Sequence, residues 1–341
     1  MRWTTRTRRI LRIARKALWA LVDRNHPVLV HVIAMRRCNL SCAYCNEYDA
    51  VSKPVPVEVM KRRIDRLAEL GTAVLTFSGG EPLMHPEIDV LVSHARQRGM
   101  FVTLITNGYY LSPARIARLN RARLDHLQIS IDNVEPDEIS KKSLRLLDPK
   151  LRWLAEQADF SVAINSVLGS GVRNPEDALV VARRTRQLGL MSSLGIIHDG
   201  HGQLRPLGPR EMRVYEELKQ VGQRSIIRFN HRFQDNLAKG LPNDWSCRAG
   251  ARYLYVDEHG IVHYCSQQRG APGIALEAYG RDDIRREYYT KKGCAPFCTV
   301  NCVQQVGLID KWRSPQSAVA RLPEPARATP VAVPDETALV G

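Results

Sequence analysis

The chain has 341 residues, of which 44% are hydrophobic and 25% are charged, and this composition is typical of a globular protein with a substantial core. Its eight cysteines fall into two groups, three near residue 40 and five between residues 247 and 302, which excludes a small disulfide-framed secreted domain. The formal charge of +15 comes mostly from arginine, and no apolar run approaches the length of a transmembrane helix.

The first predicted element is a basic amphipathic helix within residues 1–26. This segment carries one acid, Asp23, and eight basic residues, Arg2, Arg6, Arg8, Arg9, Arg12, Arg15, Lys16 and Arg24. One helical face is apolar and consists of Leu11, Ala14, Leu18, Leu21 and Val22. Such a helix could lie on an anionic membrane or pack on the rest of the protein with its arginines in solvent. Nucleic-acid binding is not expected, because no base-reading motif accompanies the charge.

Strand-like and helical segments then alternate, which favours a parallel α/β sheet. The predicted strands are 28–35, 73–77, 101–105, 126–131, 160–167 and 191–197. The predicted helices are 57–70, 86–98, 112–121, 137–156, 174–188 and one beginning near 209. Ser112-Pro113 and Asn174-Pro175 have the pattern of a helix N-cap followed by a first-turn proline. Six such units fit an open (β/α)6 barrel, in which function is expected on the loops after the strands.

The first cysteine group directly follows the first predicted strand. Cys38, Cys42 and Cys45 have C-x3-C-x2-C spacing. Three thiolates in one loop can hold three irons of a [4Fe–4S] cluster and leave the fourth iron open to bind a small chelating molecule. The alternatives are a zinc knuckle or three unrelated thiols, although zinc sites usually show four Cys or His ligands.

A second motif, Gly79-Gly80-Glu81-Pro82, follows the strand at 73–77, and an aromatic residue, Tyr44, precedes the third cysteine. With the C-x3-C-x2-C loop, these features resemble the radical SAM superfamily. The resemblance implies a partial (β/α)6 TIM-like barrel as the radical SAM core, over residues 27–240. It also implies that the open iron binds S-adenosylmethionine, whose reductive cleavage yields a 5′-deoxyadenosyl radical that abstracts hydrogen from a substrate C–H bond.

The same resemblance assigns residues to the cofactor. Glu81 can accept hydrogen bonds from an ammonium group, and the two glycines let the backbone approach a ligand. The implied contacts are Tyr44, Gly79, Gly80, Glu81, Pro82, Thr106, Asn107, Ser130, Asp132, Asn165 and Val167. Each position also has a structural interpretation, as a turn, a loop closure or the packing of a strand end. The usual glycine-containing turn after the fourth strand is replaced here by Asn-Val-Glu-Pro at 133–136.

Three polar residues follow the sixth predicted strand, His198, Asp199 and His201. Their position at a strand end predicts substrate binding or proton transfer, with a solvated loop as the equal alternative.

The second cysteine group begins with Cys247 and Cys265 in C-x12-G-x4-C spacing, which encloses a predicted β-hairpin over 253–264. Cys294, Cys298 and Cys302 follow as C-x3-C-x3-C. This segment resembles the SPASM/twitch extension of radical SAM enzymes, and the resemblance implies one auxiliary [4Fe–4S] cluster in residues 241–312. Cys247, Cys265, Cys298 and Cys302 are the preferred ligands and Cys294 the spare, with a structural zinc site as the rival.

The leading hypothesis is therefore an oxidoreductase or transferase of the radical SAM class that modifies a peptide or protein, or acts in small-molecule, lipid or sugar biosynthesis. The alternative is a non-catalytic iron–sulfur electron carrier or a zinc-stabilised binding module. The expected partners are S-adenosylmethionine, a substrate, and a reducing protein such as flavodoxin or ferredoxin.

Further expectations concern location and the chain end. We expect a cytoplasmic protein, with peripheral contact to the inner face of the membrane through residues 1–24 as a hypothesis. Residues 313–341, rich in Pro and Ala with few large apolar groups, are predicted to be a disordered tail.

Overall fold

The computed structural model describes residues 11, 14–16, 18–43, 45, 47–169, 172–198, 204–221 and 227–313, without the side chains of 227–232. The tail prediction for 313–341 therefore falls almost wholly outside the described residues. Of the predicted site residues, Tyr44, Asp199 and His201 also lie outside them.

Nine strands are present in the described part of the chain, and the first six match the predicted ones closely. They are β1 (Leu29–Met35), β2 (Val74–Gly79), β3 (Phe101–Thr106), β4 (His126–Ser130), β5 (Ser161–Gly169), β6 (Met191–Ile197), β7 (Tyr253–Val256), β8 (Ile261–His263) and β9 (Ile274–Ala275).

The helices between them also follow the predicted order. They are α1 (Val57–Glu69), α2 (Ile88–Gln97), α3 (Pro113–Arg121), α4 (Leu144–Gln157), α5 (Asp177–Gln187), α6 (Pro209–Val221), α7 (Ile227–Ala238), α8 (Arg281–Tyr289) and α9 (Asn301–Ile309). Residues 18–22 are helical as well, at the end of the predicted amino-terminal helix.

All these strands belong to one open sheet with the order β6-β5-β4-β3-β2-β1-β7-β8-β9. Neighbours from β6 through β1 are parallel, and β7 pairs in parallel with the other side of β1. The hairpin β7–β8 and strand β9 continue the sheet in antiparallel fashion. The predicted partial barrel is confirmed, and the carboxyl-terminal hairpin extends its sheet beside the strand that precedes the first cysteine group.

The two faces of the parallel strands differ in polarity. Alternate residues such as Val32, Phe77 and Leu104 are fully buried and pack against helices on the outer side. The intervening residues include polar pairs in register across strands: the Thr76 and Thr103 hydroxyls are 2.6 Å apart, and His126 Nδ1 lies 2.9 Å from Ser161 Oγ. The sheet therefore presents a polar inner face, which is the face a ligand would meet.

Two predicted helix starts are wrong. Helix α4 begins at Leu144 instead of 137, because Asp137 uses its carboxylate Oδ1 to accept from the backbone N–H groups of Ile139 and Ser140 and so stabilises a turn there. Helix α5 begins at Asp177, with Glu176 as N-cap, and Asn174 and Pro175 form the turn that leads into it. The Ser112 cap is confirmed, since its hydroxyl accepts from Arg115 N at 3.2 Å.

Candidate active site and second cysteine site

The loop that carries the first cysteine group leaves β1 and is closed at its base by backbone pairing. Cys38 N donates to Asp49 O at 3.0 Å, and Asp49 N donates to Arg36 O at 3.3 Å. Within the loop, Cys45 N donates to Cys42 O at 3.0 Å. Cys42 is buried, whereas Cys38 and Cys45 are half-buried. The fold therefore gathers the three thiols into one closed loop at the carboxyl end of the first strand.

Hydrogen-bond donors approach the sulfurs of this loop. Leu40 N donates to Cys38 Sγ at 3.4 Å, and Asn107 Nδ2 lies 3.6 Å from the same sulfur. Ser140 Oγ lies 3.7 Å from Cys42 Sγ, but its proton is directed to Asp132 Oδ2, so it can only accept from this thiol. The two donors at Cys38 would stabilise a thiolate there and tune a bound cluster.

Burial raises the pKa of Cys38 and of Cys45, so the free thiols are protonated at neutral pH and would need a metal centre to become thiolates. Among the described residues, no three Cys, His, Asp or Glu side chains converge on a point suited to a single metal ion. A [4Fe–4S] cluster makes no such demand, because each thiolate binds a different iron. The donor set therefore fits the cluster that the superfamily uses.

The Gly-Gly-Glu-Pro segment packs directly on the strand and loop that precede Cys38. Gly80 N donates to Met35 O and Glu81 N donates to Arg37 O, each at 3.1 Å. A Cβ atom on Gly80 would lie 1.9 Å from Arg36 O, which no side chain can do. Gly79 has a φ of +113°, a backbone conformation that favours glycine. The two glycines are thus required by the close approach of this segment to the cysteine loop.

Glu81 is fully buried and holds two strand ends together. Its Oε1 accepts from Leu83 N at 2.8 Å and from Thr106 Oγ1 at 2.7 Å, and its Oε2 accepts from Asn107 N at 2.8 Å. Burial raises the pKa of this carboxyl group, although the three hydrogen bonds oppose the shift. A carboxylate has about four acceptor positions, so one remains for the ammonium group of the predicted ligand. Pro82, also buried, begins the short 3-10 turn Pro82–Met84.

Thr106 and Asn107 connect Glu81 to the cysteine loop, as their place at the end of β3 predicts. Asn107 Nδ2 donates to Asn39 Oδ1 at 2.9 Å in addition to its contact with Cys38. Its own Oδ1 accepts from Tyr109 N at 3.0 Å, which fixes the amide orientation. The structure therefore brings four of the predicted segments, the Cys loop, the glycines, Glu81 and Thr106-Asn107, into one site.

The segment after β4 closes over the same loop. Asp132 Oδ2 accepts from Ser140 Oγ at 2.7 Å, with Lys142 Nζ at 3.8 Å, and Ser140 is the residue that faces Cys42. Asn133 Nδ2 donates to Ser140 O at 3.0 Å. Asp132 is therefore positioned to order this closure, and Ser130 stands half-buried at the end of the strand.

Asn165 and Val167 lie at the other side of the inner face, where β5 pairs with β6. Asn165 Oδ1 accepts from Ser193 Oγ at 2.9 Å, so the strand ends of β5 and β6 are joined there. Asn301 Nδ2 donates to Leu194 O at 3.3 Å, and Thr299 Oγ1 lies 3.1 Å from His198 Nδ1. The residues between the distal cysteines therefore contact the strand ends directly.

The five carboxyl-terminal cysteines come together from four separate segments. Cys247 precedes β7, Cys265 follows β8, Cys294 and Cys298 flank a short turn, and Cys302 lies in α9. Burial, with a smaller contribution from neighbouring thiols, raises the pKa of Cys247 to about 11 and that of Cys302 to about 12. The charges of Cys247, Cys265 and Cys294 all act on Cys298. Cys294 is the exposed member of the group, although its charge also acts on Cys247 and Cys265, so its role as the spare stays a prediction.

Sequence reasoning missed four residues that lie between the two cysteine groups in the fold, namely Glu47, Tyr253, Tyr255 and Arg269. Glu47 follows the first loop, and burial raises its pKa even though Tyr255 hydrogen-bonds to it and the charge of Arg269 opposes the shift. Tyr253 and Tyr255 occupy the same face of β7 and pack with Cys247 and Cys265. Arg269 Nη1 donates to Tyr255 Oη at 3.2 Å. The sequence does show two tyrosines spaced two residues apart near a cysteine. Their relation to the first site can be seen only from the pairing of β7 with β1.

A family model for the radical SAM superfamily matches residues 32–194, which contain every segment of the first site. Residues 32–194 of this chain are therefore a radical SAM domain. Members of this superfamily hold a [4Fe–4S] cluster and S-adenosylmethionine, and the first cysteine loop is where that cluster fits.

Two curated relatives are PqqA peptide cyclases. That of Ruegeria pomeroyi is 34% identical over 114 residues, which cover 33% of this chain and 30% of the relative. That of Bradyrhizobium diazoefficiens is 37% identical over 150 residues, covering 42% of this chain and 39% of the relative. The matched segments thus span well under half of either relative.

Two solved structures share the fold. Streptococcus suis SuiB bound to the precursor peptide SuiA aligns with a TM-score of 0.62 at 16% identity, covering 88% of this chain and 77% of SuiB. The enzyme anSMEcpe with bound AdoMet and the Cp18Cys peptide aligns with a TM-score of 0.55 at 16% identity, covering 79% of this chain and 85% of that one.

Proposed function

We propose that this radical SAM protein is an enzyme that cleaves S-adenosylmethionine reductively. The observation that supports the proposal most strongly is the packing of the C-x3-C-x2-C loop against Gly79, Gly80 and Asn107 at the carboxyl edge of the sheet. When bound, the cluster and S-adenosylmethionine supply a 5′-deoxyadenosyl radical, which removes a hydrogen atom from a substrate C–H bond.

The chain's own residues would position these groups. Cys38, Cys42 and Cys45 would each bind one iron, and Leu40 N and Asn107 Nδ2 would donate to the Cys38 sulfur. The backbone at Gly79-Gly80 and the remaining acceptor position of Glu81 would receive the methionyl ammonium group. Ser130, Asp132, Asn165 and Val167 line the inner face where the rest of the cofactor would lie, and the loop around Ser140 would exclude water.

The test is anaerobic reconstitution with iron and sulfide, reduction with dithionite, and measurement of 5′-deoxyadenosine. We expect the product only when S-adenosylmethionine is added, and none from a Cys42→Ala variant of equal purity. A fully loaded protein that yields no 5′-deoxyadenosine would instead support the electron-carrier or zinc-module alternative.

We propose further that residues 241–312 form a SPASM/twitch-like unit that binds one auxiliary [4Fe–4S] cluster through four of its five cysteines. The support is that Cys247, Cys265 and Cys302 pack in one buried cluster and that Cys298 lies close enough to Cys247 and Cys265 to be influenced by their charges. Zinc suits four thiolates equally well. Iron, sulfide and zinc analysis of protein purified without oxygen therefore decides between a [4Fe–4S] cluster and a zinc site.

For the substrate, we propose a peptide. The curated relatives are named as cyclases of a peptide, and both solved structures described above contain a bound peptide. A short reading frame next to the gene would supply the candidate, and incubation of that peptide with the reduced enzyme should change its mass. An unchanged peptide, together with neighbouring genes for lipid or sugar enzymes, would favour a small-molecule substrate.

We also propose a reducing partner of the flavodoxin or ferredoxin type, because the cluster must receive an electron before each cleavage. Reduced flavodoxin or ferredoxin in place of dithionite should sustain 5′-deoxyadenosine formation. Failure of both proteins under conditions in which dithionite works would contradict this part of the proposal.

Finally, we propose that the amino-terminal helix contacts an anionic membrane peripherally. The end of this helix packs on the rest of the protein through Ala20, which contacts Val28 and Val306. Its apolar residues Leu18 and Val22 are nevertheless 63% and 74% exposed. Trp312 is likewise exposed, at 68%. The amino-terminal segment also carries positive charge on Arg15 and Arg24. The exposure of this apolar face supports membrane contact over the alternative interpretation, in which the face packs on the protein. None of the helices described is long and apolar enough to span a bilayer.

Vesicle flotation tests this contact. Binding is expected to vesicles that contain phosphatidylglycerol and to weaken with salt, but not to vesicles of phosphatidylcholine alone. Removal of residues 1–24 or the double change Leu18→Glu/Val22→Glu should abolish it, whereas Val180→Glu, at an exposed apolar position on α5, should not. Equal binding by all variants would remove the proposal.

A further inference from the structure

Tyr253 is a buried tyrosine whose hydroxyl group makes no hydrogen bond to the described part of the chain. Its side chain is 0% exposed, and its Oη has no hydrogen-bond partner among the described residues. The neighbouring Tyr255 differs, because its hydroxyl is engaged by Arg269 and Glu47. Leaving a buried hydroxyl unsatisfied is unfavourable, so a position like this indicates a partner other than the described residues.

The surroundings of Tyr253 indicate what that partner is. Its ring packs in the same cluster as Cys247, Cys265 and Cys302, with His31 at its edge, the ring centroids being 5.2 Å apart. A tyrosine hydroxyl is protonated at neutral pH, so Tyr253 carries a hydrogen-bond donor beside three of the proposed cluster ligands.

We propose that Tyr253 donates a hydrogen bond to a sulfur of the auxiliary cluster, either a cysteine Sγ or an inorganic sulfide, and thereby sets its reduction potential. The inference rests on the auxiliary cluster proposed above. Tyr253 acts as a positioning and tuning residue and takes no part in bond making. A donor binds the reduced cluster more strongly than the oxidised one, because the reduced cluster carries one more negative charge. The hydrogen bond therefore raises the reduction potential.

The experiment uses the full chain with the first site emptied by Cys38→Ala, Cys42→Ala and Cys45→Ala, so that a single cluster is observed. In this background, Tyr253→Phe keeps the ring and removes only the hydroxyl. An anaerobic redox titration followed by electron paramagnetic resonance should show a lower midpoint potential for Tyr253→Phe. The expected decrease in midpoint potential is about 59 mV. For a one-electron couple, this corresponds to a tenfold drop in the ratio of reduced to oxidised cluster at a fixed potential.

The matched control is Tyr279→Phe, another buried tyrosine, whose hydroxyl donates to Gly250 O at 2.5 Å and so is already satisfied. Its midpoint potential should equal that of the background protein. Electron–nuclear double resonance of the reduced background protein should also show an exchangeable proton coupling, lost in D2O and missing from Tyr253→Phe. The D2O comparison uses the background protein alone, so this part of the measurement does not depend on how well the variant folds.

Equal midpoint potentials, or the same exchangeable coupling with and without the hydroxyl, would overturn the inference and leave a trapped water as the partner of Tyr253. A background protein that contains zinc or no metal would overturn it for a different reason, because the auxiliary cluster itself would then be absent. Iron and sulfide analysis of the background protein separates these two failures.

Discussion

At the scale of single residues, Gly80 shows how little freedom the first site has. Replacement by alanine would place a Cβ atom 1.9 Å from Arg36 O, so the loop that bears the cysteines must move. We expect Gly80→Ala to lose most of the iron of the first site and at least tenfold of the 5′-deoxyadenosine formation, with a stability loss of about 1–3 kcal/mol from overpacking.

Iron content and product formation after anaerobic reconstitution measure this effect. Gly208→Ala is the control, since a Cβ there meets only Glu211 Oε2 at 3.6 Å, an ordinary contact. Normal iron loading by Gly80→Ala would show that the cysteine loop does not depend on this close approach.

His31 makes a prediction about pH. Burial on the inner face of β1 lowers its pKa to about 4, so the folded protein holds it neutral, whereas the unfolded chain protonates it near pH 6.5. Below pH 6.5 the unfolded state therefore binds the additional proton, and stability is lost as the pH falls toward 4. The difference corresponds to about 3 kcal/mol at pH 4.

Urea unfolding of the metal-free protein between pH 4 and pH 7 measures this loss. His31→Phe, which keeps a ring against Tyr253, should lose less stability than the parent over that range. Parallel pH curves for the two proteins would assign the acid sensitivity to other groups, of which His26, with a pKa also lowered to about 4, is the first to examine.

The roles of individual residues could be predicted from the sequence only where the residues belong to a known sequence motif. The cysteines, Gly79 and Gly80 follow from spacing, but the partners of Glu81 do not, because Thr106 and Asn107 reach it from another strand. Glu47 and Tyr253 carried no motif at all. Their importance depends on which segments the fold brings beside them, which is a long-range property.

At the scale of elements, one buried ion pair fixes the amino-terminal segment to the end of α9. Arg252 Nε lies 2.9 Å from Asp310 Oδ2, and both side chains are 0% exposed. The same guanidinium donates to the backbone oxygens of Asp23 at 2.9 Å and of His26 at 3.0 Å. The arginine thus satisfies carbonyl groups just after the helix at 18–22.

Asp310→Asn should therefore lower the free energy of unfolding by about 3–5 kcal/mol, because it leaves a buried guanidinium without its counter-charge. Denaturant midpoints measure the loss. Arg145→Ala is the control, since Arg145 and Glu135 form an exposed pair for which about 0–1 kcal/mol is expected. Similar losses in the two variants would mean that the Arg252–Asp310 pair contributes no more than a surface contact.

Element prediction succeeded where hydrophobic periodicity was uninterrupted and failed where a side chain redirected the backbone. The six parallel strands and most of their helices follow from alternation and caps, whereas the turn at Asp137 depends on a carboxylate that competes with the helix for backbone N–H groups. The hairpin at β7–β8 was predicted, but its parallel pairing with β1 was not, because no local pattern encodes that partner.

At the scale of the whole molecule, this pairing places two cysteine sites on one continuous sheet. The first site depends on the carboxyl ends of β1, β2 and β3, and the second depends on the hairpin and α9. Their ligands come from separate segments, while Glu47 and Tyr255 connect them through a hydrogen bond. The two sites should therefore load metal independently but sense each other electrostatically.

This arrangement predicts the metal content of three proteins. After anaerobic reconstitution the parent should hold about eight irons, and variants that lack either Cys38, Cys42 and Cys45 or Cys247, Cys265, Cys298 and Cys302 should each hold about four. Of the two variants, only the one without Cys247, Cys265, Cys298 and Cys302 should retain the electron paramagnetic resonance signal that shifts when S-adenosylmethionine is added. If loss of one site emptied the other, the sites would form one cooperative folding unit, because the ligands of an independent site would still be in place to bind their own irons.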